Sequence, residues 1–120
     1  MDIEALKGDL RTFAEERDWD QFHSPKNLSM ALTVEAAELL EHFQWLTEAQ
    51  SRSLPQEVKS QVAEEIADIH IYLVRLIDKL GIDLDSAVQA KLELNRRKYP
   101  ADRVRGKAAK YTAYRDDSSS

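Results

Sequence analysis

Residues 54–80 read LPQEVKSQVAEEIADIHIYLVRLIDKL, and the spacing of their apolar side chains decides the fold. Val62, Ile66, Ile69, Leu73, Leu76, Ile77 and Leu80 recur every three or four positions, the period of one helical face. No glycine or proline interrupts the run after Pro55. Gly81 follows it, where a residue without a Cβ closes a helix in the left-handed conformation. A helix over 54–80 is predicted, with Ser53-Leu-Pro-Gln56 as a capping box whose two ends satisfy each other's orphan amides.

Working outward, the same periodicity predicts three more helices. Asp2 is placed to cap a first helix that runs to about Asp18, with Ile3, Leu6, Leu10 and Phe13 on its buried face. Ser24-Pro25 reads as an N-cap followed by proline at the first helical position, which starts a second helix spanning 25–46. Thr47 to Ser53 is polar and reads as irregular. Asp83 caps a fourth helix that ends before Pro100. With 3 Gly and 3 Pro in 120 residues and plentiful Ala, Leu, Glu and Lys, the composition favours long helices. The expected fold is all-α, an antiparallel four-helix bundle forming one domain over 1–112, with a disordered tail over 113–120.

Composition also excludes. There is no Cys, hence no disulfide framework, thiolate metal site or cysteine nucleophile. Met1-Asp2-Ile3-Glu4 lacks the basic-then-apolar order of a signal peptide, and no apolar run approaches the roughly 20 residues that span a bilayer, so a cytoplasmic location without membrane contact is expected. A net charge of -5 argues against a duplex nucleic-acid surface but allows a small anion held through a metal.

The candidate site lies in the acids. At about 100° per residue, Leu28, Ala31, Leu32, Leu39, Phe43 and Leu46 fall within about 80° of Glu35, which puts Glu35 inside the apolar stripe. Glu38 falls about 60° to the other side and Glu41 about 120° away, toward solvent. On the third helix Glu65 is about 60° from the centre of its stripe and Glu64 about 160° away, so Glu65 faces inward. Asp68 and then Tyr72 follow it one turn at a time. Solvated helix edges are the alternative for any single acid, but converging carboxylates repel unless protonated or bridged by a cation. Mg²⁺ and Mn²⁺ take all-oxygen shells, whereas zinc prefers His or Cys. A ferritin-like di-iron site needs Glu-x-x-His on two helices, and Leu39 and Ala67 stand three positions before His42 and His70.

Glu35-Ala-Ala-Glu38, then 26 residues, then Glu65-Ile-Ala-Asp68 resembles the MazG-like branch of the all-α nucleoside triphosphate pyrophosphohydrolases. Further stretches look like the dCTP pyrophosphatases within it: Phe13-Ala-Glu-Glu-Arg-Asp-Trp19, Phe22-His23, Pro25-Lys-Asn-Leu28, Phe43-Gln-Trp45, Asp68-Ile-His-Ile-Tyr-Leu73, Lys91, Asn95-Arg-Arg-Lys-Tyr-Pro100 and Arg105-Gly-Lys-Ala-Ala-Lys-Tyr111. Val34 stands where many MazG-type domains carry the first acid of Glu-Glu-x-x-Glu, a departure that the dCTP-type branch shares.

The resemblance implies hydrolysis of dCTP, or a modified cytosine or noncanonical nucleotide, to the monophosphate and pyrophosphate, which would cleanse the nucleotide pool. Glu35, Glu38, Glu65 and Asp68 would hold Mg²⁺, with Mn²⁺ as a substitute. The metal would neutralise the triphosphate and lower the pKa of a water attacking the α-phosphorus. Glu38, at the stripe's edge where water reaches it, is the expected general base. The family's assembly implies a homodimer or homotetramer.

Lys91, Asn95 and Lys98, spaced i, i+4 and i+7, form a polar line on the fourth helix. They either approach the triphosphate, as the resemblance implies, or mark an exposed helix end. Trp19 and Trp45 either sandwich a pyrimidine or pack in the core. His23 and Tyr72 complete the expected substrate contacts, and the Arg105–Tyr111 tail would close over the nucleotide or dock on a neighbour. The alternatives are the same chemistry with dUTP or broad triphosphate specificity, and a non-enzymatic helical interaction protein.

Overall fold

The first helix, α1 (Ile3–Glu16), starts where the Asp2 side chain accepts a hydrogen bond from the Ala5 amide at 3.0 Å. It stops at Glu16, two residues short of expectation, because Asp18 adopts a left-handed conformation with φ 55°. The Trp19 amide then bonds back to the Ala14 carbonyl at 2.8 Å and the Asp18 amide to that of Glu15 at 3.1 Å. This is a Schellman closure with aspartate in the position glycine usually takes, which Asp tolerates better than most residues. A single 3₁₀ turn, Asp20–Phe22, continues the chain.

The chain is described here from a computed structural model covering residues 1–106, within which every regular element is helical. The tail expected to be disordered, 113–120, and most of Arg105–Tyr111 lie outside the described residues.

The second helix, α2 (Pro25–Glu41), begins as expected, with Ser24 accepting from the Asn27 amide at 3.1 Å and proline in the first turn. It ends five residues before the expected 46. The amides of His42, Phe43 and Leu46 reach back only three residues, to Leu39, Leu40 and Phe43, so 42–46 becomes a run of tight turns. The polar stretch that follows is not irregular. Glu48–Ser51 forms a one-turn helix, α3, closed by a capping box between Thr47 and Gln50 with bonds of 3.1 and 2.9 Å.

The capping box expected at Ser53–Gln56 is absent. It would need Leu54 in helical conformation, which a following proline disfavours sterically. The long helix α4 (Gln56–Leu80) instead starts after Pro55 with no side-chain cap, and Gly81 closes it with φ 64°.

Helix directions follow from the long-range bonds. Arg11 on α1 donates Nε–H to Asp78 at 2.7 Å, and Met1 meets His70, so α1 and α4 run parallel. His23, just before α2, meets Arg75, whereas Glu35 and Glu38 further along meet Glu65, so α2 runs antiparallel to α4. These contacts lie within one compact unit, Met1–Gly81, whose core holds Ala14, Leu28, Val62, Val74 and Ile77. The expected α4 stripe needs correction. Ile66 and Leu80 are exposed, and Val74 and Arg75 are buried in their place, because α4 serves two partner helices on different faces.

The second unit begins at Ile82. There Asp83 accepts from the Ser86 amide at 3.1 Å and opens α5 (Leu84–Lys98), followed after Pro100 by the short α6 (Ala101–Val104).

Candidate functional site

Antiparallel packing of α2 against α4 brings Glu35 and Glu38, one turn apart, face to face with Glu65. Carboxylate oxygens of the three lie within 4.8 Å of one another, and all three side chains are half-buried. Glu64 and Glu41 are exposed, following helical phase. Three carboxylates this close cannot all ionise without a compensating charge. The Glu35 carboxyl is pushed up to about 7, chiefly by hydrogen bonding with Glu65, then by burial, then by Glu38 and the charge of Asp68. One oxygen of the group, Glu65 Oε2, is sequestered from solvent with no hydrogen-bond donor. A buried acceptor left unpaired costs about 1 to 3 kcal/mol, and a hard divalent cation would satisfy it. The residues present therefore fit such a cation: oxygen donors only, surplus negative charge and an orphaned lone pair.

Asp68 does not join the three. It is exposed and, one turn further along α4, lies on the wall of a cleft of about 330 Å³. Leu10 and Phe13 of α1 and Ile71 of α4 give this cleft an apolar side, and Trp19, His23 and Tyr72 face the same space. The Schellman closure of α1 sets the entry of Trp19, whose ring stands edge-on to Phe13 with centroids 5.8 Å apart. The Arg17 guanidinium covers Phe13 at 3.7 Å from its centroid. Trp19 is 45% exposed, so a stacking partner can reach it.

Trp45 is elsewhere. It lies in the 42–46 turns, 87% exposed, and is not among the residues that line this cleft. The α2 helix ends too early to carry Trp45 along the stripe. Lys91, Asn95 and Lys98 lie on α5, in the second unit.

Arg75 was missed by sequence reasoning and is the only buried charged side chain among the described residues, 4% exposed. Its guanidinium donates to Asp20 at 2.9 Å and to His23 Nδ1 at 3.3 Å, and it lies 3.8 Å from Asp78. Lys79 donates to the same Asp20 oxygen at 2.6 Å. These bonds hold the Asp20 carboxyl below its ordinary range, while burial and the two cations push the His23 imidazole down. A signal existed: Glu65, Asp68, Tyr72, Arg75 and Lys79 step by three and four residues along one seam, and the polar column read as far as Tyr72 simply continues.

Residues 30–113 match the MazG-like family. Among the similar proteins, dCTP pyrophosphatase 1 of Mus musculus is 46% identical over 102 residues, 83% of this chain and 60% of that protein. The Homo sapiens protein of the same name is 46% identical over 103 residues with the same coverage. The chain thus spans about three-fifths of the length of these relatives. A pyrophosphatase from Archaeoglobus fulgidus superposes with a TM-score of 0.76 at 44% identity, over 81% of this chain and 91% of that one.

Proposed function

The chain belongs to the MazG-like family, and from that premise we propose that it is a Mg²⁺-dependent nucleoside triphosphate pyrophosphohydrolase acting on dCTP or a modified cytosine nucleotide. The observation that carries this reading is the trio Glu35, Glu38 and Glu65, with its unpartnered buried oxygen, one helical turn from a cleft faced by Trp19 and His23. The names of the similar mammalian and archaeal proteins support it.

Glu35, Glu38 and Glu65, with Asp68 completing the set, would hold Mg²⁺ or, as a substitute, Mn²⁺. Bound there, the ion would screen the triphosphate charge and favour displacement at the α-phosphorus. Glu38 accepts the proton of the attacking water as its oxygen bonds to the α-phosphorus. The bond from that phosphorus to the bridging oxygen breaks, and pyrophosphate leaves with the electron pair. Trp19 stacks on the pyrimidine, and His23 and Tyr72 offer hydrogen bonds. Phosphate contacts by Lys91, Asn95 and Lys98 of α5, and an antiparallel four-helix bundle over residues 1–112 as one catalytic domain, are part of the proposal.

The assembly is a homodimer or homotetramer. Met30 and Val34 on α2, Ile66 on α4 and Trp45 are large apolar side chains exposed in the single chain, and a second copy that covers them would bury apolar surface. Trp45 would then reach a base from a neighbouring copy. No helix of the described residues is long and apolar enough to cross a membrane, and a cytoplasmic site of action is part of the proposal.

The test is pyrophosphate release from a panel of deoxy- and ribonucleoside triphosphates, with and without EDTA. Activity that needs metal and prefers dCTP is expected. Preference for dUTP, or none, would move the specificity, and no hydrolysis with either Mg²⁺ or Mn²⁺ would leave a helical interaction protein.

A further inference from the structure

Beyond Tyr72 the polar seam of α4 changes sign, and its buried member, Arg75, lies in the cleft wall beside His23. Arg75 donates its Nε–H to His23 Nδ1 at 3.3 Å and a terminal N–H to Asp20 at 2.9 Å. A guanidinium has donors and no acceptor, so the nitrogen it faces must offer a lone pair. His23 Nδ1 is therefore unprotonated, and the ring's one remaining N–H is on Nε2. Asp20 cannot undo this arrangement, because it is already held by Arg75 and by Lys79 at 2.6 Å. Burial and the charges of Arg75 and Lys79 oppose protonation of the ring, with Asp20 pulling weakly the other way. Asp68 and Tyr72 face the same cleft, whereas α1 contributes only Leu10 and Phe13 to it.

We propose that Arg75 is a positioning residue: it locks His23 as the uncharged Nε2–H tautomer, so the cleft presents a hydrogen-bond donor to an acceptor oxygen of the bound nucleotide. This rests on the reading of the cleft as a nucleotide site. The acceptor belongs either to the base or to the phosphate, since both carry oxygens of suitable chemistry.

Arg75→Met isolates the effect. Asp20 keeps Lys79 and Asp78 keeps Arg11, so no carboxylate is stranded when the guanidinium goes. Histidine-ring ¹H–¹⁵N spectra of the intact wild-type chain need no variant and no turnover. They should show His23 as Nε2–H, titrating below an ordinary histidine and shifting when dCMP is added. In Arg75→Met the tautomers should mix, the midpoint should rise, and dCMP should bind about tenfold more weakly, the worth of one hydrogen bond. His23→Gln, whose amide nitrogen stands near the Nε2 position, should keep affinity within about threefold. His23→Asn, which matches the Nδ1 side, should lose about tenfold. Binding of deoxycytidine separates the two sources: a base acceptor weakens it in Arg75→Met, and a phosphate acceptor leaves it unchanged while dCMP binding falls.

A wild-type His23 that carries its proton on Nδ1, a ring that dCMP does not shift, or unchanged dCMP affinity in Arg75→Met would each overturn the proposal. Triphosphate hydrolysis is measured separately. Absence of turnover beside an Nε2–H His23 that responds to dCMP therefore refutes the reaction and supports the positioning role.

Discussion

Two polar clusters share one seam of α4 and are built on opposite terms. Around Glu65 the neighbours carry the same charge, one buried oxygen has no partner, and Glu35 is held half-protonated near neutral pH. Around Arg75, three turns along, every charge meets an opposite one: Asp20, Asp78, Lys79 and Arg11 form a continuous chain of pairs. The second cluster is complete as it stands, while the first leaves like charges together and an unpaired oxygen, which a cation would satisfy. Frustration in a fold that is otherwise well satisfied marks the place reserved for a ligand.

The comparison can be broken most decisively through activity. Glu38→Gln should lower turnover by about 10² to 10⁴-fold, as loss of a general base does, with the circular dichroism spectrum unchanged. Equal activity would remove the acidic cluster from the chemistry. Next come stability changes of opposite sign. Arg75→Met strips the paired cluster of its centre and should cost about 1 to 3 kcal/mol in urea unfolding. Glu35→Gln in EDTA should leave stability above neutral pH equal or higher, because it relieves like-charge repulsion. Two losses of similar size would show that the clusters are not different in kind.

The pH responses should also differ in direction. Glu35 ionises at about 7 in the folded chain against an ordinary 4.5. Between those values the folded chain keeps a proton that the unfolded chain has released, so metal-free stability falls as pH rises through this window. Asp20 and Asp78 have lowered pKa values, so their contribution is present above the ordinary carboxylate range and is lost as pH falls through the folded-state values. Thermal melts in EDTA should show both slopes. Glu35→Gln should flatten the upper one and Asp78→Asn the lower, and saturating Mg²⁺ should flatten the upper slope in the unaltered chain. The smallest effect is expected at Trp45→Ala. A side chain 87% exposed in its own chain should change monomer stability by less than about 0.5 kcal/mol.

Periodicity located the four long helices, and it failed where local chemistry competes with it. Pro55 moved the start of α4 past Ser53, and Thr47–Gln50 took the capping box that was expected six residues later. Asp18 ended α1 early by adopting a conformation that a count of apolar residues cannot register. The inward turn of Glu35 and Glu65 was legible because helical phase is a property of spacing alone. Arg75 was not, although it stood in the same seam. A cationic side chain reads as a solvated one until its partners are known, and those partners lie 52 and 55 residues away.

The amino-acid sequence by itself determined that the chain is helical, which faces are apolar, and which acids are forced toward the interior, since each follows from backbone period and side-chain chemistry within a few residues. Tertiary structure alone decided that Asp68 lies on the wall of the cleft, that Trp45 lies in the exposed 42–46 turns away from that wall, and that His23 is held by Arg75. Those outcomes depend on the register of α2 against α4, which long-range packing sets and no local signal encodes.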